Sequence, residues 1–236
     1  MYLLNKKSRA VVLDCETTGV DPNKNAVVSI AVAVCDCFLG VLRKRSFQMR
    51  PHEGAVIDPE ALKVNLLTER EIMGYPPVEE TLKELNRFLY AACPEKPCFS
   101  LWYCWGVGFD DKFLIKSYER AGIKYPGRYT WLCMRTIATQ FNLLTNILMA
   151  NDRTETKNVA KFCSCLDTPF EGAQHDAMAD VLNSIKVVKL SQARLMKVSA
   201  CDSPSDMEQA DRVLTKDNPA ASVENTDIYA QDEIPF

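Results

Sequence analysis

An apolar run that ends in two acids, Val11-Val12-Leu13-Asp14-Cys15-Glu16-Thr17-Thr18-Gly19, most narrowly limits what this 236-residue chain can fold into. Three successive branched apolar residues read as a central strand covered on both faces. Residues i and i+2 of a strand point to the same side, so Asp14 and Glu16 project side by side. Adjacent carboxylates repel, and burying either one unpaired is costly. A hard divalent cation, Mg²⁺ or Mn²⁺, held by those oxygens would turn the repulsion into a site. The same residues also admit a plainer reading, in which both acids lie in the loop after the strand and are solvated or cap a turn.

The strand over 8–15 is followed by a β-branched run over 27–34 and a third strand over 41–49, with Gly40 marking the turn between them. Connections this short favour an antiparallel meander. Pro59–Asn65 reads as a short helix. Pro77–Ala92 reads as a longer one, with Val78, Leu82, Leu85 and Leu89 on one face. A strand over Phe99–Tyr103, a helix over Asp110–Ala121 stopped by Gly122, a short strand over Trp131–Cys133 and a helix over Arg135–Leu148 come next. A polar loop over Asn151–Lys157 leads to a last helix over Asp176–Lys197, with Val181, Ile185, Val188 and Leu190 inward. Strands first, then helix and strand in alternation, give an α/β class: a mixed sheet with helices packed on it.

Composition closes off several classes. The chain is 47% hydrophobic with only 9 Gly and 12 Pro, which is globular. No stretch approaches the ~18 apolar residues of a membrane span, and the N-terminus lacks the pattern of a secretory signal. The expected compartment is therefore the cytoplasm, where the ten cysteines stay reduced. Cys35-x-Cys37 and Cys163-x-Cys165 lack zinc-knuckle spacing, so they read as small apolar thiols. The net charge of −3 conceals an asymmetry: residues 201–236 carry nine acids against two bases, which leaves a mildly basic body. Residues 1–197 are assigned to one domain, and 198–236 to an acidic, disordered tail in which Met207, Ala210 and Val213 could share one short helix.

Two further clusters carry chemistry. Asp110 lies in Trp105-Gly106-Val107-Gly108-Phe109-Asp110, where its ordinary role is to cap the following helix. Gln174-His175-Asp176-Ala177-Met178-Ala179-Asp180 places an acid on a helix whose alanines permit close approach to a sheet, with His175 at or before the helix start. A histidine there is usually structural, as is His52 beside Pro51.

Taken in order, Asp-x-Glu-Thr-x-Gly, Phe-Asp-x-x-Phe-Leu and His-x-Ala-x-x-Asp resemble the DEDDh branch of the DnaQ-like 3′→5′ exonuclease superfamily over about residues 8–195. The segment Ile57–Asn65 is similar as well. Trp105 and Gly106 depart from the His-Asn pair common in that family, and with Met134-Arg135-Thr136 they resemble small bacterial and phage members. The resemblance implies an RNase H-like five-stranded mixed sheet. It also implies two-ion hydrolysis of a terminal phosphodiester with Mg²⁺ or Mn²⁺. Asp14, Glu16 and Asp180 would hold one ion, Asp14 would reach the second, and Asp110 would support the shell. His175 would be the general base. Thr17 would help seat the terminal nucleotide, and Phe109 would pack on its base or sugar or else belong to the core.

The substrate so implied is a single-stranded 3′ end, DNA favoured, with nucleoside monophosphates released; RNA ends are the alternative. A rival of another class is a non-catalytic adaptor that only holds nucleic-acid ends. The last residues, Gln231-Asp232-Glu233-Ile234-Pro235-Phe236, resemble the C-terminal tip of bacterial single-stranded-DNA-binding protein, and less closely a sliding-clamp motif. On that resemblance Ile234, Pro235 and Phe236 would dock on a replication or repair protein of a bacterial or phage-infected cell.

Overall fold

The computed structural model describes residues 9–92, 99–127, 130–144 and 158–199. The strands are β1 (Arg9–Thr17), β2 (Val27–Cys35), β3 (Val41–Gln48), β4 (Phe99–Cys104) and β5 (Trp131–Cys133). The helices are α1 (Pro59–Val64), α2 (Glu69–Met73), α3 (Val78–Ala91), α4 (Asp110–Ala121), α5 (Met134–Leu144), α6 (Val159–Cys165) and α7 (Ala177–Ser199). The sheet order is β3-β2-β1-β4-β5. The first three strands pair antiparallel, and β1–β4 and β4–β5 pair parallel. This is the mixed five-stranded sheet flanked by helices that the pattern predicts, with the acid-bearing strand at its centre.

The period-2 alternation of β1 sorts the core into two layers. Val11, Leu13 and Cys15 face α3 and α4, packing with Leu82, Leu85, Leu89, Phe113, Leu114 and Tyr118. Ala10 and Val12 face the other way, with Met134, Phe162, Val181, Ile185 and Val188 of α5, α6 and α7. Asp14 and Glu16 continue this second face. The parity that buries Val12 therefore aims both acids toward α7.

β1 runs on through Thr17, so both acids lie in the strand and the plainer loop reading is set aside. Two helices were not legible as such. Thr68 opens α2 with a capping box, its hydroxyl and the Glu71 side chain each closing on the other's backbone N–H. Asn158 opens α6, its Oδ1 accepting from the N–H groups of Ala160 and Lys161. α7 starts at Ala177 with Asp176 capping Met178 N–H at 2.9 Å. Leu190, read as inward, is only partly buried against the second layer, and Val187 is fully buried.

No helix among the described residues is long and apolar enough to cross a membrane. The polar loop over 151–157, the end of the helix read to Leu148, the short tail helix and the docking residues Ile234, Pro235 and Phe236 lie outside the described residues.

Candidate active site

Asp14 and Glu16 come from β1 and Asp180 from the first turn of α7. One carboxylate oxygen from each lies within 4.8 Å of those from the other two. A cleft of about 140 Å³ opens over them, lined by Asp14, Trp105, Asn158, Val159, Gln174, His175 and Asp180. Residues 166 positions apart in sequence thus converge because β1 and α7 share one face of the sheet. A second cavity, about 750 Å³ along α3, contains none of the predicted residues.

Asp110 is buried at the first position of α4, and it does not cap that helix. Phe109 occupies the cap position, and Asp111 accepts the Gly108 N–H at 2.6 Å. The Asp110 carboxylate instead accepts the N–H of Cys15 at 3.2 Å, and the Cys104 thiol donates to it as well. It stands outside the close trio, but its charge acts on Asp14.

His175 is exposed in the left-handed region at φ 61°. Its backbone N–H bonds to the Asp180 carboxylate. A non-glycine residue held in that conformation is costly and points to a fixed role. His52 faces the carbonyl of Glu53 and takes no part in the cleft.

The loop leaving β1 is pinned from several sides. The Asn25 amide donates to the carbonyls of Thr18 and Val56, and a Cβ on Gly19 would strike that amide. Arg120 of α4 donates to the carbonyls of Pro22, Asn23 and Asn25. Thr17 is buried; its hydroxyl donates to the Gly19 carbonyl at 2.6 Å, and its own carbonyl accepts from Asn65 at 3.0 Å. Phe109 is 38% exposed, and its ring lies 4.9 Å from that of Phe113 at a tilt of 53°, which places it at the surface with one side open. Asn158 and Gln174, which line the cleft, carried no local sequence signal. Trp105 was legible only as a departure from a family pattern; its ring meets Phe162 edge-on at 5.5 Å.

The electrostatics are those of a buried acidic site in which the carboxylates raise one another. Burial, then the charges of Asp110, Glu16 and Asp180, hold Asp14 well above the carboxylate range. Burial, then Asp180, Asp110 and Asp176, push Glu16 up to about 8. Burial raises Asp180 to about 6 against the opposing pull of His175. Burial also raises Asp110, against the Cys15 N–H. Three hard oxygen donors converging where protons are otherwise retained fit a divalent cation by charge and by donor type.

A pH-dependent response follows. Glu16 is raised from 4.5 to about 8 on folding, so over that window the folded chain keeps a proton the unfolded chain has released. The Glu16 contribution to metal-free stability is therefore full below about pH 4.5 and is lost as pH rises through about 8. Mg²⁺ relieves the penalty most where the protons are gone. Thermal melts should show a larger Mg²⁺-induced rise in Tm at pH 8 than at pH 6. An equal or reversed response would count against a cation at this cluster.

The model of an exonuclease family, RNase_T, matches residues 11–188 of the chain. Ribonuclease T of Haemophilus influenzae is 25% identical over 184 residues, covering 75% of this chain and 76% of that protein. Ribonuclease T of a Shewanella species is 27% identical over 177 residues, covering 72% and 75%. Among solved structures, the nuclease domain of 3′hExo, a DEDDh family member bound to rAMP, superposes with a TM-score of 0.63 at 16% identity, covering 83% of this chain and 94% of that one. Exonuclease I of E. coli with a dT13 oligonucleotide gives a TM-score of 0.65 at 17% identity, covering 81% and 42%. These two likenesses concern the fold.

Proposed function

Because the chain belongs to the RNase T family of exonucleases, within the DEDDh 3′→5′ exonuclease superfamily, we propose that it trims single-stranded 3′ ends by metal-dependent hydrolysis, releasing nucleoside monophosphates. The observation that carries this reading is the convergence of Asp14, Glu16 and Asp180 within 4.8 Å, in a cleft that His175 also lines.

Asp14, Glu16 and Asp180 would hold one ion, Asp14 would also reach a second, and Asp110 would support the set. When bound, Mg²⁺ or Mn²⁺ offsets the charge that builds on the attacking and leaving oxygens of the phosphodiester. His175, at the mouth of the cleft, accepts the proton of the attacking water through its neutral imidazole. The Cys15 N–H and the Cys104 thiol keep Asp110 oriented, so the acidic set does not rearrange as charge develops. Thr17 contributes to the floor on which the terminal nucleotide sits, and the open side of Phe109 takes its base or sugar.

DNA is the substrate put first, because the acidic C-terminal segment resembles a tip that docks on replication and repair proteins. Docking through Ile234, Pro235 and Phe236 is part of the same proposal and rests on sequence alone. RNA is a second reading, favoured by the family relatives named Ribonuclease T. Digestion of 5′-labelled single-stranded DNA and RNA side by side, with Mg²⁺ or Mn²⁺, tests both. A ladder shortening from the 3′ end, faster on DNA, is expected; faster RNA degradation would reverse the order. Full activity in excess EDTA, or no shortening of either strand, would overturn the proposal.

A further inference from the structure

His175 sits on an exposed loop, yet a general base needs a fixed address. The loop before it, 169–173, is anchored to α7 by a buried amide. Asn183 is 1% exposed and lies one turn beyond Asp180. Its Nδ2 donates to the carbonyls of Glu171 at 2.9 Å and Ala179 at 2.8 Å. Its Oδ1 accepts the N–H of Glu171 at 3.1 Å and lies 3.9 Å from the Cys163 thiol. Both donors and both acceptor positions of the amide are therefore engaged. One side chain grips both the N–H and the C=O of Glu171, four residues before His175.

Two further contacts hold the same loop. Lys186, one turn farther along α7, donates to the Pro169 carbonyl at 2.8 Å and to the Glu171 carboxylate at 2.7 Å. Gly172, at φ 96°, lies so close to α7 that a Cβ there would come within 2.9 Å of the Ala179 Cβ. On the downstream side Asp176 caps α7, and the His175 N–H bonds Asp180. The segment bearing His175 is thus fixed at both ends to the helix that supplies Asp180.

We propose that Asn183 is a positioning residue of the exonuclease reaction. By clamping Glu171 to α7, it holds the His175 imidazole over the cleft at a set distance from the acids. The inference rests on the reading of His175 as general base. A buried amide with every position filled is a demanding feature for a surface loop. A loop that served only as a connection would need no such grip, since exposed backbone is satisfied by water.

The test is a double-mutant cycle on kcat with an oligonucleotide substrate. Asn183→Ala should lower kcat about 10- to 100-fold, the scale of a displaced catalytic group, with KM little changed. In a His175→Ala background the same substitution should change kcat less than about twofold, since no base remains to be misplaced. Gly172→Ala pushes the same loop from outside while leaving the amide intact, and it should show the same pattern. Should Asn183→Ala fail to fold, Gly172→Ala carries the test. Equal losses in both backgrounds, or no loss with His175 present, would overturn the role of Asn183. If His175→Ala alone leaves kcat unchanged, it is the assignment of the base that fails.

Discussion

Asp14→Ala should lower exonuclease turnover by about 10²–10³-fold or more while the protein stays folded and, without metal, becomes harder to melt. Asp14 sits at the centre of the constellation, on the middle strand, with Glu16 and Asp180 inside 4.8 Å and Asp110 acting on it from α4. In the metal-bound protein its removal takes away a ligand shared by both ions of the proposed pair. In the metal-free protein it removes a desolvated group whose ionisation Asp110, Glu16 and Asp180 all oppose. The sign follows from linkage. The folded pKa is raised, so Asp14 weakens the fold increasingly as pH rises above the unfolded carboxylate value. The gain in Tm of Asp14→Ala over wild type in EDTA should therefore be larger at pH 8 than at pH 5. Each ~1 kcal/mol corresponds to roughly 2–4 °C for a domain of this size. Wild-type turnover in the variant, or a loss of Tm in EDTA that grows with pH, would contradict the assignment.

What the sequence made legible divides along a physical line. Strand parity places Asp14 and Glu16 on one face from β1 alone, and small-residue spacing places Asp180 on a helix that approaches the sheet. These are period-2 and period-3.6 signals, and they survive into the fold because both elements belong to the core. Asp110 was legible locally only as an acid at a helix start, where the ordinary role is a cap; its place beside the other acids came from the family resemblance. The bond that defines it, to the Cys15 N–H, joins residues 95 apart and leaves no local trace. Asn183 was passed over for a related reason. An amide on an amphipathic helix reads as a polar position, and only the returning loop turns it into a buried clamp. α2 did carry a sequence signature, Thr68-x-x-Glu71, but its five residues are too few to display a helical period. α6 is also short, and the apolar Val159, Ala160, Phe162 and Cys163 that bury it recur too briefly to declare one.

His175→Ala should lower kcat by about 10²–10⁴-fold, the usual contribution of a general base, and it should do so with the acidic trio intact. That separation distinguishes it from Asp14. His175 is exposed at the mouth of the cleft and belongs to no core cluster, so its removal costs the fold little. Its side chain adds no ligand to the carboxylate trio, and the Mg²⁺-induced rise in Tm should persist in the variant. Oligonucleotide affinity should likewise change far less than kcat. Glu16 retains a proton up to about pH 8 in the metal-free site, and bound Mg²⁺ displaces it, so turnover of the variant and the wild type is to be compared at saturating metal. Loss of the Mg²⁺ response together with turnover would make His175 part of the ion site. Wild-type turnover in the variant would remove it from the mechanism and leave the backbone at φ 61° to serve the loop alone.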